Sequence, residues 1–251
     1  MTTLVACSHG TRSPAGRAVI ARIREALAAA LPEATVHEAY VDVEQPEIAG
    51  VVQRAAARGP VVVVPLLLST GFHTGVDIAA AVVPHPAAVA ALPLGPHEAL
   101  VPALRDRLTA LSGGDAGHRP GDHVVLAAAG SSDPAAARAV EQMRDLLAAR
   151  LPCAVSIGYG AGCAPTIRQA VTAARESGAR RVIAASYVLA PGHFAGLVRA
   201  AGADLVTAPL GAHPGVIRVA VQRYRHALTT LALPAADPAI SRPSPRMVTV
   251  R

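Results

Sequence analysis

Val61-Val62-Val63-Val64-Pro65-Leu66-Leu67-Leu68-Ser69-Thr70-Gly71-Phe72-His73-Thr74-Gly75-Val76-Asp77-Ile78 is an apolar run that stops at a turn carrying a histidine. Four consecutive valines are β-branched and apolar on both faces, which suits a strand buried on both sides of a parallel sheet. Ser69, Thr70 and Gly71 break the run, and apolar residues resume at helical spacing from Val76, so the spacing predicts a strand over 60–68 and a helix over about 75–83. His73 is then expected in a loop beyond the carboxyl end of a central strand, where open α/β sheets place their ligands.

A second histidine has the same setting. In Thr3-Leu4-Val5-Ala6-Cys7-Ser8-His9-Gly10-Thr11-Arg12 an apolar run again ends in small residues, and a helical pattern opens at Pro14 with Ser13 as its N-cap. Two neutral imidazoles at one sheet edge can hold a divalent ion of borderline softness and accept protons near neutral pH.

Outward from these two stretches the first half reads as strands at 3–8, 35–41, 60–68 and 89–94, alternating with helices at 14–30, 46–57, about 75–83 and 97–111. Such alternation predicts an α/β fold with a parallel sheet flanked by helices and joined by right-handed crossovers. Gly, Pro and polar residues over 113–122 read as a linker. Then the pattern returns: Gly130 and Pro134 lie 120 residues after Gly10 and Pro14, and Leu151-Pro152 lies 120 after Leu31-Pro32. Pro191-Gly192-His193-Phe194 echoes the turn at His73, and Leu210-Gly211-Ala212-His213 echoes Leu94-Gly95-Pro96-His97. The expected organisation is two similar βα-repeat domains, 1–112 and 123–232, facing each other across a cleft, with a mobile tail over 233–251. The copies differ at one telling place, since Ala129 stands where His9 stands in the first.

Composition excludes several functions. Hydrophobic residues make up 52% of 251, yet no uninterrupted apolar run is long enough to span a bilayer, and the amino terminus does not have the form of a signal peptide. With no Trp and 2% aromatics the chain is poorly equipped to stack bases, so neither a nucleic acid nor a membrane is expected as partner. Three cysteines without a C-x-x-C pair fit a reducing cytoplasm, and Cys7 reads as a small buried hydrophobe. The net charge of +6, carried by arginine, suits an acidic partner. Gly158-Tyr159-Gly160-Ala161-Gly162 reads as a glycine-rich turn, because it does not continue into the x-x-G-K-[ST] of a phosphate-binding loop.

Ser8-His9-Gly10-Thr11-Arg12, Pro65-Leu66-Leu67-Leu68-Ser69-Thr70-Gly71-Phe72-His73 and Val76-Asp77-Ile78 together resemble the sirohydrochlorin chelatases, class II tetrapyrrole chelatases that insert Fe²⁺ or Co²⁺ without nucleotide hydrolysis. The resemblance runs along roughly the first 230 residues and implies that His9 and His73 are the metal-site and catalytic histidines. Tyr40-Val41-Asp42-Val43-Glu44-Gln45-Pro46 also resembles a family stretch whose acid maps onto Asp42. A wide, flat substrate needs close approach to the backbone, so Ser8, Gly10, Ser69, Thr70 and Gly71 join Asp42 and His193 in the expected substrate set. Arg12, Arg17 or another arginine would hold its peripheral carboxylates, and Arg12 completes that set. The implied activity is metal insertion into sirohydrochlorin with release of two protons, in siroheme synthesis with Fe²⁺ or, as the alternative, in cobalamin synthesis with Co²⁺. A non-catalytic tetrapyrrole- or metal-binding protein is the reading from another class. No cofactor is expected beyond the substrate ion, although imidazoles also accept Ni²⁺ and Zn²⁺. The internal repeat suggests a monomer.

Overall fold

A computed structural model describes residues 1–69, 71–112, 119 and 121–232, with 72–74, 112 and 232 described by backbone alone. The first half runs β1 (Thr2–Ser8), α1 (Pro14–Ala30), β2 (Ala34–Tyr40), α2 (Ile48–Ala56), β3 (Val61–Pro65), α3 (Phe72–Val82), β4 (Ala88–Ala90) and α4 (Leu100–Thr109). The second runs β5 (Asp122–Ala128), α5 (Pro134–Ala148), β6 (Ala154–Tyr159), α6 (Ile167–Glu176), β7 (Arg181–Tyr187), α7 (His193–Arg199), β8 (Leu205–Val206) and α8 (Pro214–Ala232). Each half forms one four-stranded, all-parallel sheet, in the orders β2-β1-β3-β4 and β6-β5-β7-β8.

Every strand of the central pairs is buried on both faces, and the period of two assigns its residues to different cores. Leu4, Ala6, Val62 and Val64 face a core shared by both halves, which also takes in Val124, Leu126, Ile183 and Ala185. Val5, Cys7, Val61 and Val63 face a separate outer layer under α2 and α3. The valine run thus supplies both layers of the first sheet.

The helices that close the shared core are exchanged. Helix α8 packs on β3, β4 and α1 of the first sheet, while α4 packs on β7 and α5 of the second. Arg107 of α4 donates to the Leu210 carbonyl at 2.7 Å, and Arg223 of α8 donates to the Pro93 carbonyl at 2.9 Å. Each exchanged helix therefore fastens the loop that follows the last strand of the other half's sheet.

Several boundaries differ from the sequence reading. Helix α3 begins at Phe72 because Gly71, extended at φ −75° and ψ 164°, ends the loop early, so His73 sits in the first turn of a helix. Strand β3 ends at Pro65, which has no N–H to donate; Leu66 nevertheless donates to the Cys7 carbonyl at 2.7 Å and continues the edge. Residues 97–99 cap α4 from outside it, with His97 Nδ1 accepting from the Ala99 N–H at 3.1 Å; His213 Nδ1 does the same for the Gly215 N–H at 3.0 Å ahead of α8. Asp122, read as the last linker residue, is the first residue of β5. Residues 113–118 and 120 of the expected linker, the tail 233–251 and Thr70 lie outside the described residues.

Candidate functional site

In both sheets the chain leaves the first strand to one side and returns on the other, so the loops after β1 and β3, and after β5 and β7, flank the point where strand order reverses. All four loops line one cavity of about 1310 Å³ between the halves. That exceeds the ~300–1,000 Å³ typical of a drug-sized ligand.

The loop after β1 carries His9. Ser13 caps α1, its side chain accepting the Gly16 N–H at 3.2 Å, and Pro14 takes the first helical position, as the sequence implied. Gly10 has φ +96°, and a Cβ there would run into the Asp42 carbonyl, so this turn requires glycine. Val41 and Asp42 donate to the carbonyls of Ser8 and His9 at 3.0 and 3.1 Å, extending the β1–β2 pairing into the loop. His9 is exposed and lines the cavity. His73 follows β3, the strand beside β1, as the second residue of α3; its side chain lies outside the described residues.

Ser8, Gly10, Arg12, Ser69, Gly71 and His193 of the expected substrate set all line the cavity. Asp42 is not among the lining residues: it is exposed, and its Oδ1 accepts the Val43 N–H at 2.7 Å. Val43, with φ +62°, lines the cavity instead. Arg17 is tied to Glu44, Nε to Oε2 at 2.8 Å, and does not line the cavity.

The sequence reading missed most of the second wall. Residues 128–132, 188–192, Tyr187, Phe194 and Arg199 line it. The signal was present in the 120-residue offset, which makes 128–132 the counterpart of 8–12. His193 opens α7 with its ring edge-on to Phe194 at 5.3 Å. Among the described lining residues there is no carboxylate, and Arg12 and Arg199 supply guanidinium groups from opposite walls. Helices α1, α3 and α5 also begin at this edge, where their N-termini carry partial positive charge. These groups favour negative charge at an otherwise largely apolar cavity.

Ser8 and Tyr187 line the cavity, and their hydroxyls are buried without a hydrogen-bond partner among the described residues. Burial pushes the Tyr187 phenol above its usual range. Burial also pushes the Cys7 thiol up to about 12, which leaves it protonated and a poor metal ligand. Among the described residues no group of three or more His, Cys, Asp or Glu side chains is placed to hold a metal ion.

A family model described as CbiX matches residues 3–111 and 123–227. No curated protein matches the sequence significantly. Among solved structures, SirB from Bacillus subtilis with Fe³⁺ superimposes with a TM-score of 0.73 at 20% identity, covering 92% of this chain and 97% of that one. The sirohydrochlorin chelatase SirB from Bacillus subtilis subspecies spizizenii, in complex with cobalt, gives 0.70 at 20% identity, covering 91% and 96%. A CbiX described as the terminal enzyme for biosynthesis of siroheme in denitrifying bacteria gives 0.63 at 21% identity, covering 90% and 99%. At this identity the likeness is one of fold: two parallel α/β sheets joined over a cleft, in the manner of the chelatases. The family match goes further, and the chain belongs to the CbiX family of sirohydrochlorin chelatases.

Proposed function

We propose that this protein inserts a divalent metal into sirohydrochlorin, with Fe²⁺ the physiological ion and siroheme the product. The observation that carries the reading is the cleft with His9 at the switch point of the first sheet and the backbone of His73 in the first turn of the helix that follows the adjoining strand. In this proposal the amino-terminal unit, 1–112, holds the ion and the carboxyl-terminal unit, 123–232, walls the cleft. His9 and His73 bind the ion as neutral imidazoles. The macrocycle docks over it, with Arg12 and Arg199 on its peripheral carboxylates and the small residues Ser8, Gly10, Ser69, Thr70 and Gly71 against its face. Two pyrrole N–H protons leave as the metal–nitrogen bonds form. An imidazole released from the metal is a competent acceptor for one of them.

Cobalt is the second reading, supported by a similar fold crystallised with cobalt. We further propose a monomer acting in the cytoplasm; its three cysteines are free, and no helix among the described residues is long and apolar enough to cross a membrane. Absorbance spectra of sirohydrochlorin with Fe²⁺ or Co²⁺, with and without protein, test the activity, and competition between the ions ranks them. Replacing His9 or His73 with Ala lowers the insertion rate by about 10² or more, the scale of a positioned acid–base group. Near-wild-type insertion by the double variant would overturn the assignment.

A further inference from the structure

We infer that Glu44 is a positioning residue that braces the His9 loop so that the imidazole is held ready for the metal, an inference that rests on the role proposed for His9. Both carboxylate oxygens of Glu44 are occupied by that loop and its helix. Oε1 accepts the Thr11 N–H at 2.7 Å, and Oε2 pairs with Arg17 Nε at 2.8 Å. Arg17 Nε also donates to the Thr11 carbonyl at 3.0 Å, so Thr11, two residues beyond His9, is held at both its N–H and its carbonyl. The Glu44 side chain is 12% exposed against 52% for Arg17, and it does not line the cavity. A carboxylate taken this far out of water is costly unless paired and hydrogen-bonded, and these partners supply the compensation.

The second half provides the internal control. Its backbone follows the same course: Gly130 at φ +85° answers Gly10 at +96°, and Gly162 at +71° answers Val43 at +62°. Gly160 and Ala161 donate to the carbonyls of Ala128 and Ala129 at 2.9 Å, as Val41 and Asp42 do to Ser8 and His9. Yet Cys163 stands in place of Glu44, with its Sγ 2.6 Å from the Ser131 carbonyl, and Ala137 stands in place of Arg17. Ala129 stands in place of His9. The loop therefore folds without a carboxylate or a guanidinium where it has no imidazole to present. The brace accompanies His9 and is not a requirement of the turn.

Co²⁺ titration of the protein without tetrapyrrole, together with steady-state insertion kinetics, tests this. Glu44→Ala raises the apparent Co²⁺ dissociation constant by about 10- to 100-fold, the range for losing an outer partner of a metal ligand, while KM for sirohydrochlorin stays within about twofold. Glu44→Gln keeps an acceptor for the Thr11 N–H and stays within about threefold of wild type. Arg17→Ala, at a half-exposed position, gives a smaller loss of the same kind should Glu44→Ala not fold. The His9 ring signals in ¹H–¹⁵N spectra, recorded without metal or substrate, broaden in Glu44→Ala and stay single in Glu44→Gln. Unchanged His9 signals in a folded Glu44→Ala protein overturn the brace, whether or not the wild type metallates sirohydrochlorin. Equal Co²⁺ defects in Glu44→Gln and Glu44→Ala also overturn it, because the carboxylate charge would then act on the ion itself.

Discussion

Cys7 and His9 lie two residues apart, and the strand separates their fates. Cys7 is an inward residue of β1, packed in the outer layer with Val5 and Val63, and its thiol is pushed up to about 12 by burial. It is therefore protonated and inert across the working range. Cys7→Ala should leave Co²⁺ affinity and insertion rate within about twofold of wild type, since truncating a small buried side chain acts on packing and not on chemistry. A thiol reagent should label Cys7 only after denaturation; rapid labelling of the native protein would contradict this placement. At this scale the place of His9 on the cavity wall was legible because small residues at a strand's carboxyl end announce a ligand edge, and the Ser13–Pro14 start was legible because caps are local. The displacement of Asp42 from the cavity lining was not. It depends on Val43 adopting φ +62°, a conformation that no propensity assigns to valine. The brace by Glu44 was hidden for a related reason, since its partners Thr11 and Arg17 lie 33 and 27 positions away and meet it only through the fold.

Strands β5 and β7 are locked at their first residues by a pair that the first half does without. Asp122 and Arg181 are register partners, and Arg181 donates to both carboxylate oxygens, at 3.2 and 2.7 Å. The Arg119 N–H adds a third bond at 2.7 Å. Burial alone would raise the Asp122 carboxyl, but the Arg181 hydrogen bonds, the Arg119 backbone donor and the two positive charges outweigh it and hold the group below the usual carboxylate range. With the folded value depressed, the contribution is present above the unfolded pKa near ~4 and is lost as pH falls through the folded value. Asp122→Asn should thus cost about 1–3 kcal/mol at pH 7, the scale for removing a buried charged hydrogen-bond partner. The gap from wild type should narrow in urea melts as the pH is taken well below the usual carboxylate range. A gap of the same size at both pH values would mean that charge does not carry the effect. Reading Asp122 as linker failed because an acid at a strand's first position looks like loop chemistry until its partner, 59 residues later, is placed beside it.

Across the whole molecule the repeat was legible and the assembly was not. Offsets of 120 residues announce two copies, but no local pattern says that α4 and α8 cross over to close each other's half. That exchange gives the two sheets one shared core, so the second half is a fixed wall of the cleft whatever its chemistry. Its loops follow a similar backbone course with Ala129, Ala161 and Cys163 where the first half has His9, Asp42 and Glu44. His193 is what is left, and it stands first in α7 whereas His73 stands second in α3, a difference of about 100° around a helix of 3.6 residues per turn. Ser131 and Ser132, which line the same cavity, offer only hydroxyls, poor ligands for a late divalent ion, and Ala129 stands where the first half has His9. The place of His193 on the cavity wall suits a contact made equally with bound substrate and with the transition state. His193→Ala should therefore raise KM for sirohydrochlorin about 3- to 10-fold and leave kcat within about twofold, the signature of lost uniform binding. His73→Ala should lower kcat by about 10². Steady-state rates of both variants with Co²⁺ decide the matter: if His193→Ala abolishes turnover as completely as His73→Ala, the second half carries chemistry and the division of labour between the two copies is wrong.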